Sequence, residues 1–462
     1  MEKTNASQAP HLHVVGIGGI GVSAVARYYK ESGWTVSGSD GSASAVTRAL
    51  ESEGISVSVG HAAENVPENT SLLVYSEAVV TKPDLPKEEQ VLSNPEIRKS
   101  HEMGVRRLSY PEALAELFND KKGIAVAGSH GKSTTTAMIG TALVESGFGG
   151  STVVGTQVPQ FDGKNGHFDP KNPVFAIEAC EYRRSFLRYA PDIAVITNID
   201  LDHLDYYADL PDYLSAFESF LKNTRKAAVL SADCENSRTV AASESAKHLD
   251  VYFVDKDGFV GPDGVKKPFP KMELAVPGEH LAQDARLAYV ALLLSGVPES
   301  DVAPALEKYR GSWRRSEIVG NTVNGNLVVS DYGHHPTEIR PTLEALKAKY
   351  SDKTLFVTFQ PHQYSRTREL LNEFASAFDA ADELLIPDIY FSRDKKEDVE
   401  WMTVGRLLDT LRPRYPNVRG GQGLDAAAAE IAEFDAENPG KCVFVLLGAG
   451  NVDDLRYRLV TA

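Results

Sequence analysis

The residues best suited to chemistry sit in short clusters that punctuate runs of apolar residues. The most specific is Gly128-Ser129-His130-Gly131-Lys132-Ser133-Thr134. Its glycines let backbone amides close on phosphate oxygens, Lys132 can neutralise β- and γ-phosphates, and Ser133 can ligate magnesium. Only Ser129 and His130 separate the two glycines, so the loop is shorter than a regular P-loop. A second cluster, Gly16-Ile17-Gly18-Gly19-Ile20-Gly21, allows close backbone approach to a diphosphate at a helix N-terminus. Asp40 lies about 20 residues further on, where an acid can take ribose hydroxyls. Glu178 closes one apolar run, and Asn198 through His203 follow another. A carboxylate and an imidazole at such strand ends could each hold a magnesium ion beside Ser133. Taken singly, each is more readily a solvated loop residue or satisfied polar group; their shared place at strand ends following a phosphate loop favours the site.

Two clusters towards the C-terminus have a different character. Asp331-Tyr332-Gly333-His334-His335-Pro336 and Gln360-Pro361-His362-Gln363-Tyr364-Ser365-Arg366 both follow apolar runs. Histidine and arginine together suit an acceptor carboxylate, which Arg366 could take in bidentate fashion. Between the two halves stands Trp313-Arg314-Arg315, either a solvated charge pair or an arm that reaches a triphosphate.

Positioning these clusters requires strands that end where they begin. Short apolar runs alternate with helical patterns, which predicts an α/β protein with parallel sheets. Strands are expected at His11–Val15, Thr35–Ser37, Ile55–Val59 and Leu72–Tyr75. A second series comprises Ile124–Ala127, a helix from about Ser133 to Ser146, Val174–Ile177 and Ile193–Thr197. A third runs through Asn326–Ser330, a helix over Pro336–Lys349, Thr354–Thr358, a helix over Thr367–Ala381, Leu384–Pro387 and Cys442–Leu447. Boundaries are placed near residues 112 and 317, giving domains 1–112, 113–317 and 318–462.

The 462 residues call for two to four domains, and 42% hydrophobic with 24% charged residues is the balance of a soluble globular chain. A formal charge of −16 argues against a nucleic-acid surface, while leaving room for phosphate ligands held by a few local donors. Cys180, Cys234 and Cys442 show no paired spacing, which fits a reducing compartment. The stretch Val14–Ala26 lacks a basic flank and reads as strand, turn and helix, not a signal peptide. Leu287–Val297 is far too short to span a bilayer. A cytoplasmic protein with no membrane partner is expected, as a monomer or weak homodimer.

Taken together the clusters resemble the Mur ligase family over nearly the whole chain. His13 through Gly21 with Ser37-Gly38-Ser39-Asp40 is similar to that family's UDP-binding domain, and Ala125 through Ser133 to its short phosphate loop. Thr197-Asn198-Ile199-Asp200 with Asp202-His203-Leu204-Asp205-Tyr206-Tyr207 resembles its metal-site strand. Asp331–Pro336, Phe359–Arg366 and Gly448-Ala449-Gly450-Asn451 resemble the branch that adds L-alanine. The resemblance implies three α/β domains: an N-terminal Rossmann-like one for a UDP-sugar, a central P-loop ATPase-like one for ATP, and a C-terminal Rossmann-like one for the amino acid.

By that resemblance Gly18, Gly19, Ile20, Gly21, Ser39 and Asp40 bind the UDP-sugar, and Gly128 through Thr134 hold the ATP phosphates. Ser133 and Glu178 serve one magnesium ion and His203 a second. Arg315 approaches the phosphates, Asp331 holds the ATP ribose, and His280 keeps its place in the nucleotide site. His334, His335 and Arg366 line the acceptor site. The implied reaction joins L-alanine to the carboxylate of UDP-N-acetylmuramate, with ATP and Mg2+, through an acyl phosphate, for peptidoglycan synthesis. The chain departs from the family pattern at Cys180, at Arg183 and Arg184, at Leu281 and Asp284 after His280, and at Gln363, which replaces an arginine. Three alternatives stand beside this reading: a ligase attaching a whole tripeptide to the same UDP-sugar, a nicotinamide dehydrogenase suggested by Gly16–Gly21 alone, and a non-catalytic UDP-sugar sensor.

Overall fold

The computed structural model describes residues 9–80, 87–204, 206–275, 278–392 and 394–460. The chain forms two compact units, Met1–Glu273 with Asp284–Tyr309, and Leu274–Gln283 with Arg310–Ala462.

The first unit carries two sheets. One has strands β1 (His11–Val15), β2 (Thr35–Asp40), β3 (Ser56–Val59), β4 (Thr70–Tyr75) and β5 (Arg106–Ser109) in the order β3-β2-β1-β4-β5. Every pairing is parallel, so each connection crosses over through helix or loop. Strand order reverses between β1 and β4, which opens a crevice at their carboxyl ends. Gly16 sits there at φ +79, where a Cβ would come 2.8 Å from that of Ser76.

The other sheet comprises β6 (Lys122–Ala127), β7 (Ser151–Val158), β8 (Lys164–His167), β9 (Val174–Glu178), β10 (Ile193–Ile196), β11 (Ala227–Ser231), β12 (Asp250–Asp255), β13 (Gly258–Val260) and β14 (Lys266–Lys267). Its order is β14-β13-β12-β11-β10-β6-β9-β7-β8, parallel at the centre and antiparallel at both edges. Helix Lys132–Glu145 follows β6 and is buried on every face from Ser133 to Leu143, which explains why its sequence shows no polar stripe. The two sheets share one hydrophobic core. Tyr28, on helix Ile20–Glu31, meets Phe168 edge-on at 5.3 Å, and Phe118 meets Phe175 at 5.9 Å. Buried Asn165 ties the same helix down: its carbonyl accepts from Arg27 at 2.8 Å and its amide donates to the Ile20 carbonyl.

The second unit holds β15 (Glu317–Asn321), β16 (Leu327–Asp331), β17 (Thr354–Phe359), β18 (Glu383–Ile386), β19 (Arg419–Gly420) and β20 (Cys442–Leu447). The order is β15-β16-β20-β17-β18-β19, with β15 alone antiparallel. Residue 112 falls in helix Tyr110–Phe118, which Ser109 and Glu112 start with a capping box, and residue 317 opens β15. The helix expected over Thr367–Ala381 is instead two short helices, Tyr364–Glu369 and Leu371–Phe374. The chain bends at Leu370 (φ −97, ψ 17), and Phe374 and Phe378 pack on Phe359 at 5.4 and 5.1 Å.

Candidate active site

The loop from Gly128 to Gly131 leaves the carboxyl end of β6 and is shaped by its neighbour β10. The Ser129 amide donates to the Asn198 carbonyl (3.1 Å), and the His130 amide to Asn198 Oδ1 (3.0 Å). Ser129 Oγ donates to the Asp200 carbonyl and accepts from the Asp200 amide, at 2.6 and 2.8 Å. Gly128 takes φ +131, and a Cβ there would lie 2.1 Å from Thr197 Oγ1. Gly131, at φ +80, caps the helix, and its Cβ would lie 2.5 Å from Asp284 Oδ1. The departure at Asp284 therefore stands against the phosphate loop itself. Ser133 and Thr134 occupy the buried first helical turn.

Lys132 turns back over this loop. Its Nζ donates to the carbonyls of Gly128 (2.5 Å) and Ser129 (3.1 Å) and pairs with Glu181 Oε2 at 3.0 Å. Glu181 is fully buried, and its Oε1 also takes His203 Nε2 at 3.1 Å, while Tyr207 OH donates to its backbone carbonyl at 2.5 Å. Burial raises the Glu181 carboxyl, but Lys132 and His203 outweigh it and hold the group below the usual range. Burial likewise works against the Lys132 ammonium, and Glu181 more than offsets it, so that its pKa lies above the ordinary lysine value. Cys180 reaches solvent, yet desolvation by the surrounding protein and then the Glu181 charge push its thiol up to about 12.

Ser133 Oγ donates to Glu178 Oε1 at 2.9 Å, and Glu178 Oε2 accepts the Gly155 amide at 2.6 Å. A hydroxyl and a carboxylate oxygen this close are the pair that magnesium takes alongside phosphate oxygens and water. Among the described residues no three acidic, histidine or cysteine side chains converge as a protein-only metal cage. His203, at φ +57, is aimed by Glu181.

In the first sheet the Gly18 amide donates to Asp40 Oδ2 at 2.8 Å, so Asp40 braces the glycine turn. Gly19 closes the turn on the Gly16 carbonyl, Ile20 starts the helix, and a Cβ at Gly21 would meet Tyr110 OH at 2.6 Å. Burial first, then the charges of Glu178 and Cys180, raise the Tyr110 hydroxyl. Ser39 Oγ donates to buried Glu96 Oε2 at 2.6 Å, and His13 Nε2 pairs with the same oxygen at 2.9 Å.

In the second unit Asp331 is buried at the end of β16, accepting from the Gly333 amide (2.7 Å) and the Ser316 amide (2.6 Å). Burial raises its carboxyl despite the Arg315 charge. Arg315 lies over the Tyr332 ring at 4.9 Å. His280 Nδ1 is buried without a hydrogen-bond partner, and burial lowers that imidazole. His334 and His362 come together at 6.2 Å between centroids, His362 stacks on Tyr390, and Arg366 Nη1 lies 3.5 Å from His362 Nδ1. His335 instead caps helix Pro336–Lys349, its Nδ1 accepting the Thr337 amide at 3.3 Å. Gln363, at φ +71, donates to the Ser392 carbonyl at 3.0 Å.

The residue that sequence reasoning passed over is Glu181. Its spacing of three from Glu178 was visible, but a chain straightened past β9 would carry it away from the loop. The Ala179 amide instead bonds the Val126 carbonyl at 2.8 Å, and the turn that follows brings Glu181 under Lys132. Arg183 and Arg184 both take left-handed backbone; Arg184 bonds Asp212 Oδ1 at 2.5 Å, and Arg183 lies over Tyr182. Asp205 lies outside the described residues.

Three family models match the chain: Mur ligase family, catalytic domain, over residues 11–122; Mur ligase middle domain, over 126–267; and Mur ligase, glutamate ligase domain, over 314–450. A UDP-N-acetylmuramate–L-alanine ligase of Alkaliphilus metalliredigens is 36% identical over 85% of each chain. One from Streptomyces coelicolor is 34% identical, covering 97% of this chain and 96% of its own. Among solved structures, a UDP-N-acetylmuramate–alanine ligase from Thermotoga maritima superposes with a TM-score of 0.76 at 26% identity, covering 97% of both chains. A murein peptide ligase from Psychrobacter arcticus shares the fold, with a TM-score of 0.66 at 21% identity over 98% of this chain and 100% of its own.

Proposed function

Because the chain belongs to the Mur ligase family, we propose that it is the ATP-dependent ligase that joins L-alanine to UDP-N-acetylmuramate in peptidoglycan precursor synthesis. The observation that carries the reading is the Lys132–Glu181–His203 and Ser133–Glu178 arrangement at one phosphate loop, in a chain matched end to end by ligases of that name.

A carboxylate is a poor electrophile and must be activated. A lactyl carboxylate oxygen attacks the γ-phosphorus of ATP, ADP leaves, and an acyl phosphate results. The amine of L-alanine then attacks the acyl carbon, losing a proton, and phosphate departs with the former carboxylate oxygen. Lys132 exchanges its loop carbonyls for phosphate oxygens and offsets charge on the transferring group, while Glu181 and His203 keep its ammonium in place. Ser133 and Glu178 would hold magnesium, which would supply charge neutralisation at the same phosphates. His203 would serve a second ion, with Glu181 orienting its ring. Gly18, Gly19, Ile20, Gly21, Ser39 and Asp40 form the UDP-sugar site. His280, Arg315 and Asp331 serve the nucleotide, and His334, His335 and Arg366 the acceptor.

No helix among the described residues is long and apolar enough to cross a membrane, and the site of action is the cytoplasm, where ATP is supplied. The test is phosphate release from ATP and magnesium with UDP-N-acetylmuramate across single amino acids and the cell-wall tripeptide. Release dependent on L-alanine is expected. Turnover with the tripeptide alone, or none with any acceptor despite UDP-sugar binding, would displace the reading.

A further inference from the structure

An α-amino acid is a zwitterion, so a site that selects it needs an anionic group for the ammonium as well as a cation for the carboxylate. Arg366 is the cationic pole, tied to His362 Nδ1 at 3.5 Å. Three carboxylates near these strand ends are already committed to backbone. Asp331 accepts the Gly333 and Ser316 amides. Glu338 Oε2 takes the amides of His334 and His335 at 3.0 and 3.2 Å. Asp394 takes the amides of Ser365 and Ser392, each at 3.0 Å.

Asp388 differs. It follows β18, half-buried, and its Oδ1 accepts Gln360 Nε2 at 2.5 Å. Among the described residues Oδ2 has no hydrogen-bond or ion-pair partner. Gln360 is itself immobilised: Nε2 also donates to Asn451 Oδ1 at 2.9 Å, and Oε1 accepts the Val452 amide at 2.9 Å. This gives Gly448-Ala449-Gly450-Asn451 a purpose. A Cβ at Gly448 would lie 2.4 Å from the Gln360 carbonyl, and one at Gly450 would lie 2.4 Å from Gln360 Oε1 and 2.7 Å from the Tyr390 ring. The segments holding the two poles run side by side, since the Tyr390 amide bonds the Pro361 carbonyl (2.8 Å) and the Gln363 amide the Tyr390 carbonyl (3.0 Å).

Resting on the proposed amino-acid ligase reading, we propose that Asp388 receives the α-ammonium group of the incoming amino acid, held for that purpose by Gln360 and Asn451. Asp388 and Arg366 then read the two charges of the acceptor, whose ammonium gives one proton to solvent before the neutral amine attacks. A charge-assisted hydrogen bond is about twice as strong as a neutral one, so its loss falls on acceptor affinity.

The test compares Asp388→Asn with the parent enzyme, with L-alanine and with hydroxylamine, a small uncharged nucleophile that captures acyl phosphates as hydroxamates. The amide keeps an acceptor oxygen for Gln360, so the lock survives. A rise of about ten-fold or more in the KM for L-alanine is expected, with hydroxamate formation from ATP and UDP-N-acetylmuramate unchanged. An unaltered KM for L-alanine overturns the proposal. Loss of hydroxamate formation as well overturns it too, because the residue would then support the fold. Absence of hydroxamate from the parent enzyme would instead count against the acyl-phosphate reading, while the KM comparison would still decide the role of Asp388.

Discussion

At the scale of the residue, Lys132 and Glu181 form a buried pair whose lysine, on the proposed reading, also carries the charge offset at the transferring phosphate. Lys132→Met is expected to lower kcat by about 10²- to 10³-fold, the usual loss when one preorganised charge contact to the reacting group is removed. It also strands the Glu181 carboxylate, and breaking such a pair costs about 3–5 kcal/mol. Adding Glu181→Gln removes the stranded charge, so the double variant should regain melting temperature without regaining turnover. Calorimetry and phosphate release separate the two effects. The pair is intact across neutral pH: the raised Lys132 loses its contribution only above its ordinary value of 10.5, and the lowered Glu181 only below 4.5. Lys132, Ser133 and Glu178 were legible because phosphate chemistry restricts residue type and spacing. Glu181 was not, since its role depends on a turn after Ala179 that no local pattern specifies.

At the scale of the element, the first sheet is bound together by one buried carboxylate. Glu96, on helix Pro95–Glu102, accepts from Ser39 Oγ at the end of β2, pairs with His13 in β1, and takes the Ala62 amide (3.1 Å) and Asn65 Nδ2 (3.0 Å) from the loop after β3. Burial works to raise its carboxyl, but His13, Ser39 and Asn65 together hold it below its ordinary value of 4.5. A carboxyl depressed on folding stabilises the protein above its unfolded pKa and loses that contribution as pH falls through the folded value. Glu96→Gln is therefore expected to lower the melting temperature at pH 7 by several degrees, for a loss of about 1–3 kcal/mol. The gap from the parent should close below pH 4.5; a gap independent of pH would contradict the account. The expected strands were short apolar or alternating runs, among them Cys442–Leu447, which is β20. Strand β8, with Asn165 and Gly166 inside it, gave no such signal because it lies at the sheet edge and makes polar contacts with helix Ile20–Glu31, and Gly155 interrupts β7 just inside it.

For the whole molecule, three sheets place candidate site residues at strand carboxyl ends, as parallel α/β architecture favours. Apart from Trp313-Arg314-Arg315, which precedes β15, the expected clusters follow strands: Gly16 after β1, Gly128 after β6, Glu178 at the end of β9, Asn198 after β10, Asp331 at the end of β16, Gln360 after β17. That much was readable from apolar runs ending in polar residues. The sharing of a core by the first two sheets was not, because Tyr28, Phe168 and Phe175 meet only in three dimensions. The central claim is that ATP activates the sugar carboxylate before the amine attacks, and the fate of one oxygen tests it. UDP-N-acetylmuramate labelled with ¹⁸O in its lactyl carboxylate is supplied with ATP, magnesium and L-alanine, and the products are weighed. The account predicts the L-alanyl adduct together with inorganic phosphate carrying one ¹⁸O per turnover; adduct formed with unlabelled phosphate, or labelled phosphate without the adduct, would contradict it.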